Sequence, residues 1–149
     1  MTITLRPITQ DNWRVCLQLD TTEAQRRFVA SVAHSLAQAY VEPWWTPLAI
    51  YADEIPVGFV MYRQLPGTDI AWIQRIMIDA RHQHKGYGQM AMEAVISRIR
   101  QQESGREIRL SYHPDNTVAA HLYERWGFRP TGELQGGEIV VRLARGGGR

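Results

Sequence analysis

The chain has 149 residues, 44% of them hydrophobic, with 17 lysines and arginines against 15 aspartates and glutamates. That length fits one domain with a core that needs no metal or disulfide, and a net charge of +2 gives no basis for a general nucleic-acid binder. The lone cysteine, Cys16, excludes an internal disulfide and points to a reducing, cytoplasmic setting; no run reaches the roughly 18 apolar residues of a membrane span, and no signal peptide is expected.

Ile3, Leu5 and Ile8 sit near strand spacing. Asp11 or Asn12 caps a predicted helix through Val15, Leu17 and Leu19, on which Cys16 reads as a small apolar side chain. A second predicted helix sets Phe28, Val32, Leu36, Ala39 and Tyr40 on one face, and Pro43 and Pro47 end it around Trp44 and Trp45. Residues 48–52 and 57–62 form a predicted hairpin about Asp53-Glu54, and 72–78 a further strand. A long helix over 89–102 follows, with Gly105 as its cap. Then come a strand over 108–112, a turn at His113-Pro114-Asp115-Asn116 and a short helix over 118–125. A hairpin closes the chain, 128–134 with 139–143 around Gly136-Gly137. One domain over 1–143 is expected, with 144–149 a flexible tail, as a mixed sheet layered with helices.

Gln83-His84-Lys85-Gly86-Tyr87-Gly88 lies between the predicted strand at 72–78 and the long helix. Strand, glycine-rich turn, helix is an order that presents unpaired backbone N–H groups at the positive end of a helix dipole, a place that binds anions. Gly88 is followed by Gln89-Met90, not by Lys and Ser or Thr, so the loop is not a nucleoside-triphosphate P-loop; a single Gly-x-Gly is not the dinucleotide fingerprint either. The second motif runs Asn116-Thr117-Val118-Ala119-Ala120-His121-Leu122-Tyr123-Glu124-Arg125-Trp126-Gly127-Phe128. Ala119, Leu122, Tyr123 and Trp126 share its inner face, and a hydroxyl placed there wants a partner.

Together the two motifs resemble the GNAT superfamily of acyl-CoA-dependent N-acetyltransferases, the first as its Q/R-x-x-G-x-G/A signature and the second as its asparagine-to-glycine-phenylalanine segment. Within it, residues 49–51 and 57–62 resemble bacterial spermine/spermidine (diamine) acetyltransferases. The resemblance implies an α+β fold, an α/β sandwich whose mixed, mostly antiparallel sheet of about seven strands is flanked by about four helices and splayed at the cofactor site. It implies acetyl-CoA as cosubstrate. Backbone N–H groups of His84, Lys85, Gly86, Tyr87, Gly88 and Gln89 would meet the CoA pyrophosphate, with Gly86 and Gly88 free of a Cβ that would push the phosphate away. The backbone of Ile76, Met77 and Ile78 would pair with the pantetheine amides, Asn116 would bind beside them, and Tyr123 would protonate or stabilise the leaving thiolate.

An amine must be neutral to attack a thioester, so something must take its proton. Related polyamine enzymes often carry an acid on the strand before the loop; this chain has Gln74 and then Arg75. Glu42, beside Trp44-Trp45, is the preferred base, with Glu23, His34 and His113 behind it. Asp20, Glu23 and Glu42 are candidate carboxylates for a polyamine, and Tyr40, Trp44, Trp45 and Tyr51 a candidate aromatic wall for an alkylammonium. His82, His84 and Lys85 lack zinc-ligand spacing, and no metal is expected; they supply a positive field near phosphate. The expected activity is acetyl transfer to a primary amine of a small molecule, a polyamine among the candidates, by direct attack in a ternary complex. Cys16 is far from both motifs, which argues against an acetyl-cysteine route. Acetylation of a protein N-terminus or lysine is one alternative, and a non-catalytic acyl-CoA sensor another. No nucleic-acid or membrane partner is expected, and the last hairpin offers an edge for a homodimer.

Overall fold

The computed structural model describes residues 1–102 and 106–144; the expected cap at Gly105 and residues 145–149 of the expected tail lie outside them. The elements run β1 (Ile3–Pro7), α1 (Trp13–Cys16), α2 (Val32–Val41), β2 (Thr46–Ala52), β3 (Ile55–Gln64), β4 (Ile70–Ile78), α3 (Tyr87–Gln102), β5 (Glu107–Tyr112), α4 (Thr117–Arg125), β6 (Arg129–Gln135) and β7 (Glu138–Leu143). The strands form one sheet of 7, ordered β1-β2-β3-β4-β5-β7-β6. Every neighbouring pair is antiparallel except β4 with β5, which α3 joins as a crossover. This is the mixed, mostly antiparallel sandwich that the resemblance implies.

Both faces of the sheet centre are covered, which is why β2 and β3 read as nearly unbroken apolar runs rather than alternating ones. On one face Ala91, Met92, Val95 and Ile99 of α3 pack with Val60, Ile73, Ile108 and Phe128. On the other, Cys16, Leu19 and Val32 pack with Ala49, Phe59, Met61 and Met77. Each large apolar side chain so buried contributes about 1.5–3 kcal/mol.

Two predicted helices are shorter than their periodicity suggests. The first stops at Cys16: Cys16 and Leu19 are buried, but Val15 and Leu17 face solvent. The chain beyond it is held by β4's end, with the Ala80 N–H donating to the Asp20 carbonyl at 2.8 Å. The second starts at Val32, where the Ser31 hydroxyl accepts the His34 N–H at 3.0 Å and caps the helix. Phe28 therefore precedes the helix and stacks on His113, while Tyr40 is 87% exposed and off the inner face.

Two irregularities of β4 shape the site. Its parallel pairing with β5 covers only Ile70↔Glu107, Ala71↔Ile108 and Trp72↔Arg109, so the strands part beyond Trp72. Against β3, Met61 pairs with Arg75 and Tyr62 with Ile73, which leaves Gln74 as a bulge without a partner on either side. The sheet is thus open along residues 73–78 on the β5 side, the splay expected at the cofactor site.

Candidate active site

The turn from β4 into α3 starts at Asp79, 2% exposed, whose carboxylate is a knot. Oδ1 accepts the Arg81 N–H at 2.9 Å and its Nε at 2.8 Å; Oδ2 accepts the Asp20 N–H at 3.0 Å. Burial works against ionisation here, but the hydrogen bonds from Arg81 and Asp20 outweigh it and hold the carboxyl below its usual range. The Gln83 side chain donates to the Ile78 carbonyl at 3.0 Å and ties the turn back to the strand.

His84 and Gly86 have φ of 64° and 81°, one on each side of Lys85. Backbone that alternates in handedness in this way curls its N–H groups toward one concave side. The amides of residues 84–89 reach no acceptor among the described residues; Met90 is the first to bond back, to the Gly86 carbonyl at 3.2 Å. The Tyr87 side chain, buried in the core, anchors the start of α3. Gly86 has a left-handed backbone, and a Cβ there would meet no protein atom within 4 Å, so the space beside it is open on the cavity side. At Gly88 an added Cβ would lie 3.4 Å from the Trp126 ring.

Of the residues expected to hold the cofactor, Ile76, Met77, Ile78, His84, Gly86, Tyr87, Gly88, Gln89, Asn116 and Tyr123 line one cavity of ≈ 510 Å³. Lys85 does not line it and is exposed. Asn116 caps α4: its Oδ1 accepts the Ala119 N–H and the Gln25 amide, each at 3.2 Å. Its own amide nitrogen has no partner among the described residues, and the side chain borders the cavity. A row of unpaired amides at a helix N-terminus, on a cavity that also borders a free strand edge, fits a pyrophosphate joined to an amide-bearing arm.

A smaller cavity of ≈ 220 Å³ adjoins it, and Val29, Ile76, Asn116, Ala119 and Tyr123 line both. The Tyr123 ring is fixed by Tyr112, Trp126 and Phe128, with ring centroids 5.9–6.0 Å away. Burial, with the negative field of Glu138 adding to it, pushes the Tyr123 hydroxyl up to about 12. The hydroxyl has no hydrogen-bond partner among the described residues, so it stands as a neutral donor on the shared wall.

The smaller cavity is lined by side chains from distant segments, including Gln74, Arg75, Ser111, His113 and Glu138. Arg75 donates to the Gln38 Oε1 at 2.7 Å, and Gln38 in turn donates to the Glu42 Oε1 at 3.0 Å, which also accepts the Trp45 indole N–H at 2.8 Å. These bonds from Gln38 and Trp45 hold the Glu42 carboxyl below its usual range, and Glu42 lines neither cavity. Asp20, Glu23 and His34 are exposed and line neither; Asp20 pairs with Arg26 at 3.0 Å. His113 does border the smaller cavity, its Nδ1 accepting the Asp115 N–H at 3.0 Å. The expected aromatic wall is not assembled: Tyr40 is exposed, Arg63 covers Trp44 and Trp45, and Tyr51 lies under Arg6. Glu138 was not expected in the site. The Gly136-Gly137 turn was its one signal in the sequence, because a two-residue hairpin fixes which residue starts the returning strand.

Residues 7–128 match the model of the Acetyltransferase (GNAT) family. The chain belongs to that family. It is 31% identical to a spermine/spermidine N(1)-acetyltransferase of Bacillus subtilis (strain 168) over 150 aligned residues, covering 95% of this chain and 99% of the relative. Among solved structures it is similar to a PaiA N-acetyltransferase of Thermoplasma acidophilum in complex with coenzyme A, with a TM-score of 0.72, 15% identity, and 97% and 99% of the two chains covered. It is also similar to a spermidine N-acetyltransferase of Vibrio cholerae in complex with CoA and spermine, with a TM-score of 0.70, 19% identity, and 94% and 92% covered. As a GNAT member the chain is an acetyl-CoA-dependent N-acetyltransferase. Among the described residues no helix is long and apolar enough to cross a membrane, and no group of three or more His, Cys, Asp or Glu could hold a metal ion.

Proposed function

We propose that this enzyme acetylates a primary amine of a small molecule, a polyamine being the first candidate, by direct attack with both substrates bound. One observation carries the reading: Tyr123 stands on the wall between a cavity rimmed by unpaired backbone amides and a second, polar cavity. Two substrates entering from the two sides would meet at that wall without a covalent enzyme intermediate. Cys16 supports this, since it is buried in the core and desolvation raises its thiol, so it supplies no thiolate. The B. subtilis relative's name favours a polyamine acceptor.

Acetyl-CoA supplies the acetyl group and a thiolate that departs with a proton. The chain's own part is to hold and orient. Amides of residues 84–89 and the α3 dipole take the pyrophosphate; Ile76 and Met77 offer strand-edge backbone, and the Asn116 amide a side-chain donor. Tyr123 donates its proton, or a hydrogen bond, toward the departing sulfur. Glu42 acts as a positioning residue: it holds Gln38, which holds Arg75 at the cavity wall.

The test is initial-rate kinetics of CoA release over a panel of polyamines, aminoglycosides, amino acids and basic peptides. Intersecting double-reciprocal plots with spermidine or spermine are expected. Parallel plots would refute direct attack; a clear preference for peptides would move the acceptor to proteins; CoA binding with no acceptor-dependent release would make the protein a sensor.

A further inference from the structure

The strand position where related polyamine enzymes often hold an acid is Gln74, yet the smaller cavity still contains a carboxylate. It comes from β7. The Gly136-Gly137 turn, with φ of 56° and 84°, pairs Gln135 with Glu138 and makes Glu138 the first residue of the strand. Ile139 and Leu143 pack toward the α3 side, as does buried Val141. Strand alternation therefore sends Glu138 to the opposite face, where Arg75 and the smaller cavity lie. Its Oε1 accepts the Ser111 hydroxyl at 2.8 Å, while Oε2 takes no hydrogen bond from the described residues.

Arg75 is near enough for its charge and that of Glu138 to act on each other, but it gives its hydrogen bond to Gln38 and not to Glu138. Its guanidinium is bound to Gln38, and no ion pair within 4.0 Å joins it to Glu138. The other titratable groups around the cavity are Tyr112, Tyr123 and His113, and the His113 Nδ1 already accepts the Asp115 N–H. Glu138 is thus an anchored carboxylate with one oxygen uncommitted, in the cavity that Tyr123 shares.

Resting on the function proposed above, we propose that Glu138 receives the acceptor's ammonium group in the smaller cavity and takes the proton that the amine gives up before it attacks. The balance closes. The ammonium loses two protons as its N–C bond forms and the C–S bond breaks; one leaves through Glu138 to solvent and the other ends on sulfur. Burial keeps Tyr123 protonated and the same charge adds to it, so one carboxylate touches both the attacking and the departing side.

The test uses the full chain with CoA present, and compares wild type, Glu138→Gln and Glu138→Asp. Gln keeps the Ser111 contact and the side-chain shape but removes the charge; melting temperature and CoA affinity report whether fold and cofactor cavity persist. Calorimetric binding of spermidine and of n-butylamine is expected to weaken at least tenfold in Glu138→Gln. kcat is expected to fall about 100-fold, with loss of the acid limb of the kcat/KM profile, and Glu138→Asp to recover part of each. Wild-type amine affinity and an unchanged pH profile in Glu138→Gln would overturn the proposal while leaving the acetyltransferase reading intact. A wild-type protein that binds and acetylates neither amine would overturn the small-amine reading, and this proposal with it.

Discussion

The two cavities are built from different material. The larger is made of main chain: unpaired amides at the start of α3, an unpaired edge of β4, and a carboxylate knot that holds the rim. The smaller is made of side chains contributed by the segment before α2, by β4, β5 and the turn after it, by α4 and by β7, with Gln74, Arg75, Ser111, His113, Asn116, Tyr123 and Glu138 among its polar groups. A backbone site accepts whatever carries phosphate and amides and is hard to retune by single substitutions. A side-chain site can be respecified residue by residue, which suits an enzyme class with one acyl donor and many acceptors.

Tyr123 belongs to both cavities, so its loss is the sharpest way to break the distinction. Tyr123→Phe is expected to lower kcat about 100-fold or more while CoA affinity changes little. Because the hydroxyl titrates at about 12, its protonated form persists throughout the working range, and the wild-type rate should show no tyrosine-derived fall up to about pH 10. Stopped kinetics and CoA titration check both; unchanged turnover would reduce Tyr123 to packing.

Asp79→Asn attacks the backbone-built rim. It sets an NH₂ group against donors of Asp20 or Arg81, at an expected cost on the order of 2 kcal/mol at neutral pH. Since the folded-state carboxyl lies below its unfolded value, its contribution is complete above the unfolded value near 3.9 and disappears as pH falls through the folded one. The stability gap between wild type and variant should therefore narrow in acid; a gap independent of pH, measured by denaturant unfolding, would refute the assignment.

Gly86→Ala is expected to weaken CoA binding about tenfold, since a left-handed residue with a Cβ costs roughly 1–2 kcal/mol and relaxation would turn the amides away. kcat at saturating CoA should hardly move. The smallest effect belongs to Glu42→Gln, which loosens Gln38 and Arg75 at the far edge of the side-chain cavity. KM for the amine should change by about threefold with kcat preserved; a 100-fold fall in kcat would restore Glu42 as the base.

The backbone site was legible because its residues are neighbours in sequence. Gly86 and Gly88 beside a helix start, and Asn116 with Tyr123 on one helix, are local patterns with local causes. The proposed acceptor side was not, because Arg75, Ser111 and Glu138 meet only through the order of strands, with β7 inserted between β5 and β6. The surroundings of Glu42 were hidden for the same reason: proximity to Trp44-Trp45 in sequence says nothing of the hydrogen bonds that its carboxylate accepts from Trp45 and Gln38. The helix ends failed where a tertiary contact takes over, beyond Cys16, and where a local cap fixes the start, at Ser31.

Gln74 carries one more consequence. In a regular strand every backbone position is answerable to two neighbours, and a change there is felt across the sheet. The residue at 74 is answerable to none, so acid, amide or small side chain can stand there at little cost to the fold. Deleting it would only close the bulge: Met61↔Arg75 and Tyr62↔Ile73 would become consecutive pairs, with Ile73 and Ile76 still on the α3 side and Met77 still opposite. The position is free in identity, a one-residue insertion that lets the two halves of β4 run out of step while each keeps its own face.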